Sequence, residues 1–281
     1  MDWFEETLHA GWRQGIRVKE LLHRDRTEHQ DLVIFESWDW GRVLALDGVV
    51  QTTTGDEFCY HEMIVHVPLL AHGAAREVLI IGGGDGGCLR EALKHPGVAR
   101  VTQVEIDAGV IELSRHWLPS LSDGAFDDPR ARVVIADGAV FAAECAERFD
   151  VVIVDSTDPE GPAAVLFTTP FYRAVRALLN PGGIMVTQCG NPSIRPDELV
   201  DTQAAQRAAG FALVDYYLTV VPTYIGGGMA LGFATDAPER RDAAGEQIRA
   251  CGVPAGLRYY TPEIHRAAFA HPAWMTARVG H

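Results

Sequence analysis

From Val78 onward the chain alternates short, nearly unbroken apolar runs with helical stretches, and this alternation limits the fold more than any other feature. The runs are "VLII", "VTQVEID", "RVVIAD", "DVVIVD" and "IMVTQC". Among the intervening stretches are "CLREALKH", "AGVIELSRHWL" and "PFYRAVRALL". A strand that is apolar on both faces needs cover on both faces, so strands of this kind joined by helices predict a parallel sheet between helical layers. After a helix around "PDELVDTQAAQRAAG", the runs "FALVDYYLTV" and "MALGFATD" flank a Pro/Gly loop and predict an antiparallel closing edge.

Five β–α units with a terminal hairpin fit a Rossmann-like α/β sheet of the class I methyltransferase type better than a six-strand dinucleotide domain. The N-terminal part reads differently. "RVKELLH", "DLVIFES" and "RVLALDGVVQTT" are β-runs, and Asp47-Gly48 is a type I′ hairpin signal because both central residues need positive φ. Thr54 and Glu57 are spaced as a capping box opening the helix "EFCYHEMIVHVPLL". A composition shift at residues 71–76 suggests a junction. The expected division is a small β-domain with its linking helix over residues 1–70 and a Rossmann-like catalytic domain over residues 71–281. Thr261, followed by Pro262, predicts the N-cap of a closing helix.

Ligands of doubly wound sheets bind at the carboxyl ends of the strands, and here those ends are acidic. The first strand runs into the Gly-rich turn with Asp85, the second yields Glu105 and Asp107, the third Asp137-Gly138, and the fourth Asp155-Ser156-Thr157-Asp158. Gly82, Gly84 and Gly87 match G-x-G-x-x-G, with an acid about twenty positions on, a pattern that grips ribose hydroxyls. Glu105 is the natural ribose ligand. Asp137 can accept from an adenine amino group while the Gly138 N–H meets a ring nitrogen; the alternative is that Asp137 only caps the next helix.

Asp85 bears on which nucleoside. Beside a pyrophosphate it would meet like charge, with repulsion of roughly 4 kcal/mol per unit pair at 4 Å and an effective dielectric near 20. Ordinary S-adenosylmethionine has an ammonium and a carboxylate, so Asp85 helps one end and hinders the other. Decarboxylated S-adenosylmethionine keeps only the ammonium. A plain capping role for Asp85 remains the alternative. Asp155 and Asp158 precede a Gly/Pro-rich stretch long enough for a lid. Paired acids there suit a metal or a polyamine, but His61 and His66 lack metal-ligand spacing and H-E-x-x-H is absent. An alkylammonium, with pKa of about 10, must lose a proton before it can attack, and a carboxylate can hold it and take that proton.

The formal net charge of −14 disfavours nucleic acid and anionic membranes as partners. Five scattered cysteines, with no C-x-x-C pair, argue against a disulfide framework and predict a reducing, cytoplasmic setting. Neither a signal peptide nor a membrane span is legible.

Taken in series, "LDGVVQTTTGDEFCYHEM", "IGGGDGG", "VEID", "ADG", "VDSTDPEGPAAVLFT", "PTYIGG" and "YYTPEIHRAAF" resemble the spermidine synthases of the polyamine aminopropyltransferase family, from about Gln30 to Phe269. The resemblance implies aminopropyl transfer from decarboxylated S-adenosylmethionine to a diamine, most simply putrescine, with methylthioadenosine released and no metal or other cofactor. It also implies a homo-oligomer, dimer or tetramer. By motif position, Asp155 is the acid–base residue and Tyr60 assists. Gln30, Glu105, Asp137, Gly138 and Pro162 bind the thioadenosine, Asp85 holds the aminopropyl ammonium, and His61 and Asp158 contact the amine. Gln51, Gln188 and Tyr224 complete the pocket. Two departures stand out: Thr54-Gly55 replaces a frequent Glu-Arg pair, and small residues follow Tyr224, which puts acceptor length in question. Other amines (cadaverine, agmatine) and amine N-methylation are the alternatives; a nicotinamide dehydrogenase and a non-catalytic polyamine sensor are weaker ones.

Overall fold

A computed structural model describes residues 2–159, 161–243 and 245–279. Its first unit is a five-stranded antiparallel sheet in sequential order, β1 Trp3–Glu5, β2 Gly15–Arg26, β3 Asp31–Ser37, β4 Arg42–Leu46 and β5 Val49–Thr53. The hairpin between β4 and β5 turns at Asp47 and Gly48, whose φ of 48° and 81° are both positive as the dipeptide requires. Strand β1 was not legible in sequence; it is three residues long and pairs through Phe4 and Ile16.

Helix α1, Phe58–His72, follows the small sheet and packs against the large one and its neighbouring helix. The predicted capping box does not form. Thr54 Oγ1 accepts instead from the Arg42 N–H at 3.0 Å, and the Glu57 carboxylate turns inward to His61 and Arg90. From Cys59 to His72 every residue of α1 is buried, so the helix carries buried polar groups as well as apolar ones. Glu62 is the clearest case: its two oxygens accept the backbone N–H groups of Arg258, Tyr259 and Tyr260, each at 2.8 Å, and so pin the C-terminal segment to α1.

The second sheet contains β6 Glu77–Gly82, β7 Arg100–Glu105, β8 Ala131–Ile135, β9 Phe149–Asp155, β10 Leu179–Gln188, β11 Leu213–Val220 and β12 Gly228–Thr235. Its spatial order is β11-β12-β10-β9-β6-β7-β8, with β6 to β10 parallel and β11 and β12 forming the antiparallel edge. The Rossmann-like sheet and the small N-terminal β-domain expected from the sequence are both present. The helices that follow its strands include α2 Gly87–Leu93, α3 Ala108–Trp117, α4 Pro119–Ser122, α5 Gly138–Glu144, α6 Thr169–Leu178 and α7 Pro196–Ala209. Near the C-terminus come α8 Gly245–Ala250, α9 Pro262–Ala268 and α10 Ala273–Val279. Thr261 caps α9 as predicted, its hydroxyl accepting the Ile264 N–H at 3.1 Å. Core packing lies on both faces of the sheet: Ile80, Val151 and Val186 face one apolar cluster, Leu79, Val152 and Met185 the other. Among the described residues no helix is long and apolar enough to cross a membrane.

Candidate active site

Strand order places the cavity. From β6 the chain moves outward through β7 and β8, then returns to the other side of β6 as β9. The reversal opens a crevice at the carboxyl ends, where such sheets bind ligands. A cavity of about 540 Å³ occupies it. All thirteen residues named from the sequence line this cavity.

The first wall is the turn after β6. Gly82 stands opposite Asp155 in the ladder, and the Gly83 N–H donates to the Asp155 carbonyl at 2.8 Å. Gly82 has φ of 89°, and a Cβ there would run into that same carbonyl, so only glycine lets the turn lie this close to β9. Gln103 holds the turn from β7, its amide donating to the carbonyls of Gly82 at 3.0 Å and Gly83 at 2.5 Å.

Among the lining residues are those expected to meet a nucleoside. Glu105 is buried, and one oxygen accepts the Asp107 N–H at 2.9 Å. Burial pushes its carboxyl up to about 7, only partly opposed by that N–H. Gln30 comes from the small β-domain and donates to Asp107 at 3.0 Å, beside the Thr27 hydroxyl at 2.6 Å, so Asp107 ties the two sheets together. Asp137 caps α5, accepting from the Ala139 and Val140 N–H groups at 2.7 and 3.1 Å with a single oxygen. The capping role considered for it is therefore formed, and ligand binding would be additional. Gly138 lies next to it, and Pro162 belongs to the 3-10 turns Gly161–Phe167 that border the cavity. Residue 160 of the expected lid lies outside the described residues.

Charged and aromatic groups gather around Asp155. Asp155 accepts the Tyr60 hydroxyl at 2.8 Å on one oxygen and the Cys88 thiol at 3.1 Å on the other. Burial raises the Asp155 carboxyl above its ordinary value; the positive charge at His61 and the two donors oppose this, while Asp85 adds to it. Tyr60 is raised well above the ordinary phenol value by burial and by Asp155, so it is present as a donor. Asp85 accepts the Gly87 N–H at 2.7 Å with one oxygen and faces His61 Nε2 at 3.4 Å with the other. A side chain at Gly87 would collide with the His61 ring. Tyr224 stands edge-on to Tyr60 and donates to the Gln51 carbonyl at 2.7 Å. Gln188 donates to the Thr157 carbonyl at 3.1 Å and so steadies the segment carrying Asp155 and Asp158.

Sequence reasoning missed several groups. Cys88 was counted only as one of five cysteines, and Glu57 only as a helix cap. Glu6 also lines the cavity: one oxygen accepts the Val50 N–H at 2.9 Å, and the other is buried without a hydrogen-bond partner. Burial pushes Glu6 up to about 7; the Val50 N–H works against this and the charge of Asp158 adds to it. No local signal marks these residues. Metal-ligand spacing was likewise not legible, yet His61, Cys88 and Asp155 bring potential ligand atoms within 4.8 Å of one another. Each of those side chains is engaged with protein partners, so the geometry is that of a hydrogen-bonded set.

Comparison with known proteins accords with this geometry. Residues 57–242 match the family model "Spermine/spermidine synthase domain" and residues 2–54 match "Spermidine synthase tetramerisation domain". The chain belongs to the spermine/spermidine synthase family. Its relatives in that family include a polyamine aminopropyltransferase of Ruegeria sp. (strain TM1040), 53% identical with 97% of this chain and 96% of the relative covered. Polyamine aminopropyltransferase 1 of Pseudomonas aeruginosa is 52% identical, with 99% and 97% covered. A crystal structure of spermidine synthase with the transition-state analogue AdoDATO superposes with a TM-score of 0.93 at 37% identity, covering 99% of this chain and 94% of the other. Spermidine synthase from Thermotoga maritima gives 0.90 at 35%, covering 99% and 93%. Membership of the synthase family makes the protein an enzyme, a polyamine aminopropyltransferase, and the resemblance read from the seven motifs holds.

Proposed function

We propose that the protein makes spermidine from putrescine and decarboxylated S-adenosylmethionine, with Asp155 as the acid–base residue. The observation that carries this reading is the single crevice in which a nucleoside-type Gly-rich turn meets Asp85, Asp155 and Asp158, with Tyr60 hydrogen-bonded to Asp155. The nucleoside lies along Glu105, Asp137, Gly138, Gln30 and Pro162, and Asp85 takes the aminopropyl ammonium. The diamine lies beside His61, Asp158, Gln51, Gln188 and Tyr224. One of its ammonium groups passes a proton to Asp155, and the freed lone pair attacks the aminopropyl carbon next to sulfur. The N–C bond forms as the C–S bond breaks. The C–S electron pair goes to the sulfonium sulfur, releasing neutral methylthioadenosine, and the product nitrogen leaves as a secondary ammonium. Alignment of the two substrates and fixed negative charge supply the rate. Tyr60 helps by holding the Asp155 oxygen in place.

The small β-sheet supports a homo-oligomer. Trp3, Trp12 and Trp38 are each more than half exposed on a unit that matches the tetramerisation domain. Light scattering on the purified protein decides between dimer and tetramer, and a monomer would remove this part of the reading. All five cysteines are unpaired, which supports a cytoplasmic location.

The test is mass spectrometry after incubation with decarboxylated S-adenosylmethionine and putrescine, cadaverine or agmatine, with ordinary S-adenosylmethionine in parallel. Methylthioadenosine together with spermidine as the fastest product is expected. A different aminopropylated amine would reassign the acceptor. A methylated amine with S-adenosylhomocysteine would overturn the reading of Asp85.

A further inference from the structure

A row of buried charges crosses the contact between α1 and α2 and ends at the cavity. Asp85 faces His61 Nε2 at 3.4 Å, and His61 Nδ1 lies 2.6 Å from a Glu57 oxygen. The same Glu57 oxygen accepts from Arg90 Nη2 at 2.8 Å. Arg90 Nε donates to Glu91 at 2.8 Å, and Glu91 also takes Lys94 Nζ at 2.7 Å and meets His66 Nε2 at 2.9 Å. Beyond the charges stands His95, whose ring burial and His66 push down to about 3, toward the neutral form, with its Nε2 at 2.8 Å from His66 Nδ1. The side chains of His61 and Glu57 are 3% and 9% exposed, so water does little to screen them.

Burying so many charges costs stability unless each is paired. Two packed helices have no need of them. The informative member is His61, which has a carboxylate at each ring nitrogen. A neutral imidazole has one N–H and one lone pair, so it would point the lone pair at a carboxylate. Only the doubly protonated ring donates to both Glu57 and Asp85. The groups facing this ring are Glu57 just before α1, Tyr60 from α1, Asp85 from the turn after β6, Cys88 and Arg90 from α2, and Asp155 from β9. Burial alone would pull the ring toward neutrality, but Asp85 and Glu57 outweigh it and hold it well above its ordinary value. Burial likewise opposes the Glu57 charge, and His61 with Arg90 overcomes it, bringing Glu57 down to about 2.

We propose that Glu57 and Arg90 are positioning residues that hold His61 as an imidazolium against Asp85 and within 4.8 Å of the Asp155 carboxylate, so that Asp155 stays ionised in this buried site. Two neighbouring carboxylates without a cation between them tend to share a proton. A protonated Asp155 cannot take the proton of the amine. The free enzyme thereby keeps its base ready before the cationic substrates arrive, and Glu57 and Arg90 act on the reaction without touching the reacting atoms. The inference rests on the reading of Asp155 as the base.

The first measurement is on the unaltered protein: ¹⁵N-labelled histidine, followed by NMR from pH 6 to 9. His61 is expected to show two protonated nitrogens throughout this range; a neutral tautomer at pH 7 overturns the proposal, whatever the variants do. Glu57→Gln then removes the charge with little change of shape. His61 is expected to become neutral near pH 7, and the acid limb of kcat/KM to move up by about one pH unit, so that kcat/KM falls about tenfold at pH values below the limb and by less above it. Arg90→Met is expected to shift the limb in the same direction by less, and Arg90→Lys to restore most of it. Loss of thermal stability in Glu57→Gln with an unmoved limb would mean a merely structural role. If the limb stays fixed while Asp155→Asn abolishes turnover, this inference fails and the catalytic reading stands. If the unaltered enzyme transfers no aminopropyl group, the reading fails, and the charge state of His61 is still measured by NMR.

Discussion

The two groups of cavity residues proposed to meet the nucleoside and the amine are built by different means. The proposed nucleoside group is made largely of backbone and strand termini: the glycine turn after β6, Glu105 closing β7, and Asp137 with Gly138 beyond β8. Each lies within a few residues of its strand, so its position follows from the sheet. The proposed amine group is assembled from distant side chains: Tyr60 and His61 from a buried helix, Asp155 from β9, Tyr224 before β12 and Glu6 just after β1. The difference has a physical reason. A nucleoside is recognised by hydrogen-bond geometry, which strand ends and turns supply cheaply. A diamine offers little beyond two cations and an apolar spacer, so its recognition and activation depend on where charges are held.

This contrast predicts variants that separate binding from chemistry. Asp155→Asn is expected to have the largest effect, lowering kcat by about 10²–10⁴-fold. Methylthioadenosine affinity, measured by calorimetry, should change little; an equal loss in both quantities would erase the distinction between the two groups. Asp85→Asn comes next. A buried charged hydrogen bond is worth about 1.5–3 kcal/mol, so decarboxylated S-adenosylmethionine should bind about tenfold to a hundredfold more weakly. Methylthioadenosine, which lacks the ammonium, should be affected far less, and ordinary S-adenosylmethionine should become a better competitor. Equal losses for all three would assign Asp85 to the loop alone.

Tyr60→Phe is expected to lower kcat about tenfold, the low end of acid–base effects. The Tyr60 hydroxyl lowers the Asp155 carboxyl from where burial would put it, so removing it should also move the acid limb of kcat/KM upward. A fixed limb would leave Tyr60 as packing. Glu105→Gln should give the smallest kinetic effect and one of opposite sign in stability. Glu105 titrates near 7 in the folded protein against 4.5 in an open chain. The folded state therefore binds the extra proton between those values, and the stability it gives is present below pH 4.5 and lost as pH rises through 7. The variant should be more stable than its parent at pH 8, on the order of 1–3 kcal/mol, with no such gain at pH 4. Urea titrations at the two pH values, beside a nucleoside affinity reduced several-fold, test both halves of this expectation.

The placement of the proposed nucleoside residues on the cavity was legible in the sequence because they follow strand signals. "IGGGDGG" had to be a turn, "VEID" and "ADG" had to leave a sheet on its ligand-binding edge, and the closing Thr261-Pro262 helix start could be read locally. What those motifs could not convey was double use. Asp137 also caps α5, Asp85 also holds the Gly87 N–H, and Gln188 also ties down Thr157. Glu57 shows the failure of a local rule. Its spacing from Thr54 fits a capping box, but Arg90 and His61 offer a buried carboxylate more than a frayed helix end does, and they win.

By itself, then, the order of residues determined the sheet class, the Gly-rich turn and the acids at the strand ends, because period, chain direction and turn chemistry act over a few residues. Tertiary structure decided which charges meet. Glu6 reaches the cavity from the first strand region, Cys88 reaches Asp155 from α2, and the alternating row from Asp85 through His61, Glu57 and Arg90 to Glu91 exists only where α1 packs on α2. Coulomb and hydrogen-bond energies depend on distance and on exclusion of water, and neither is written in sequence spacing.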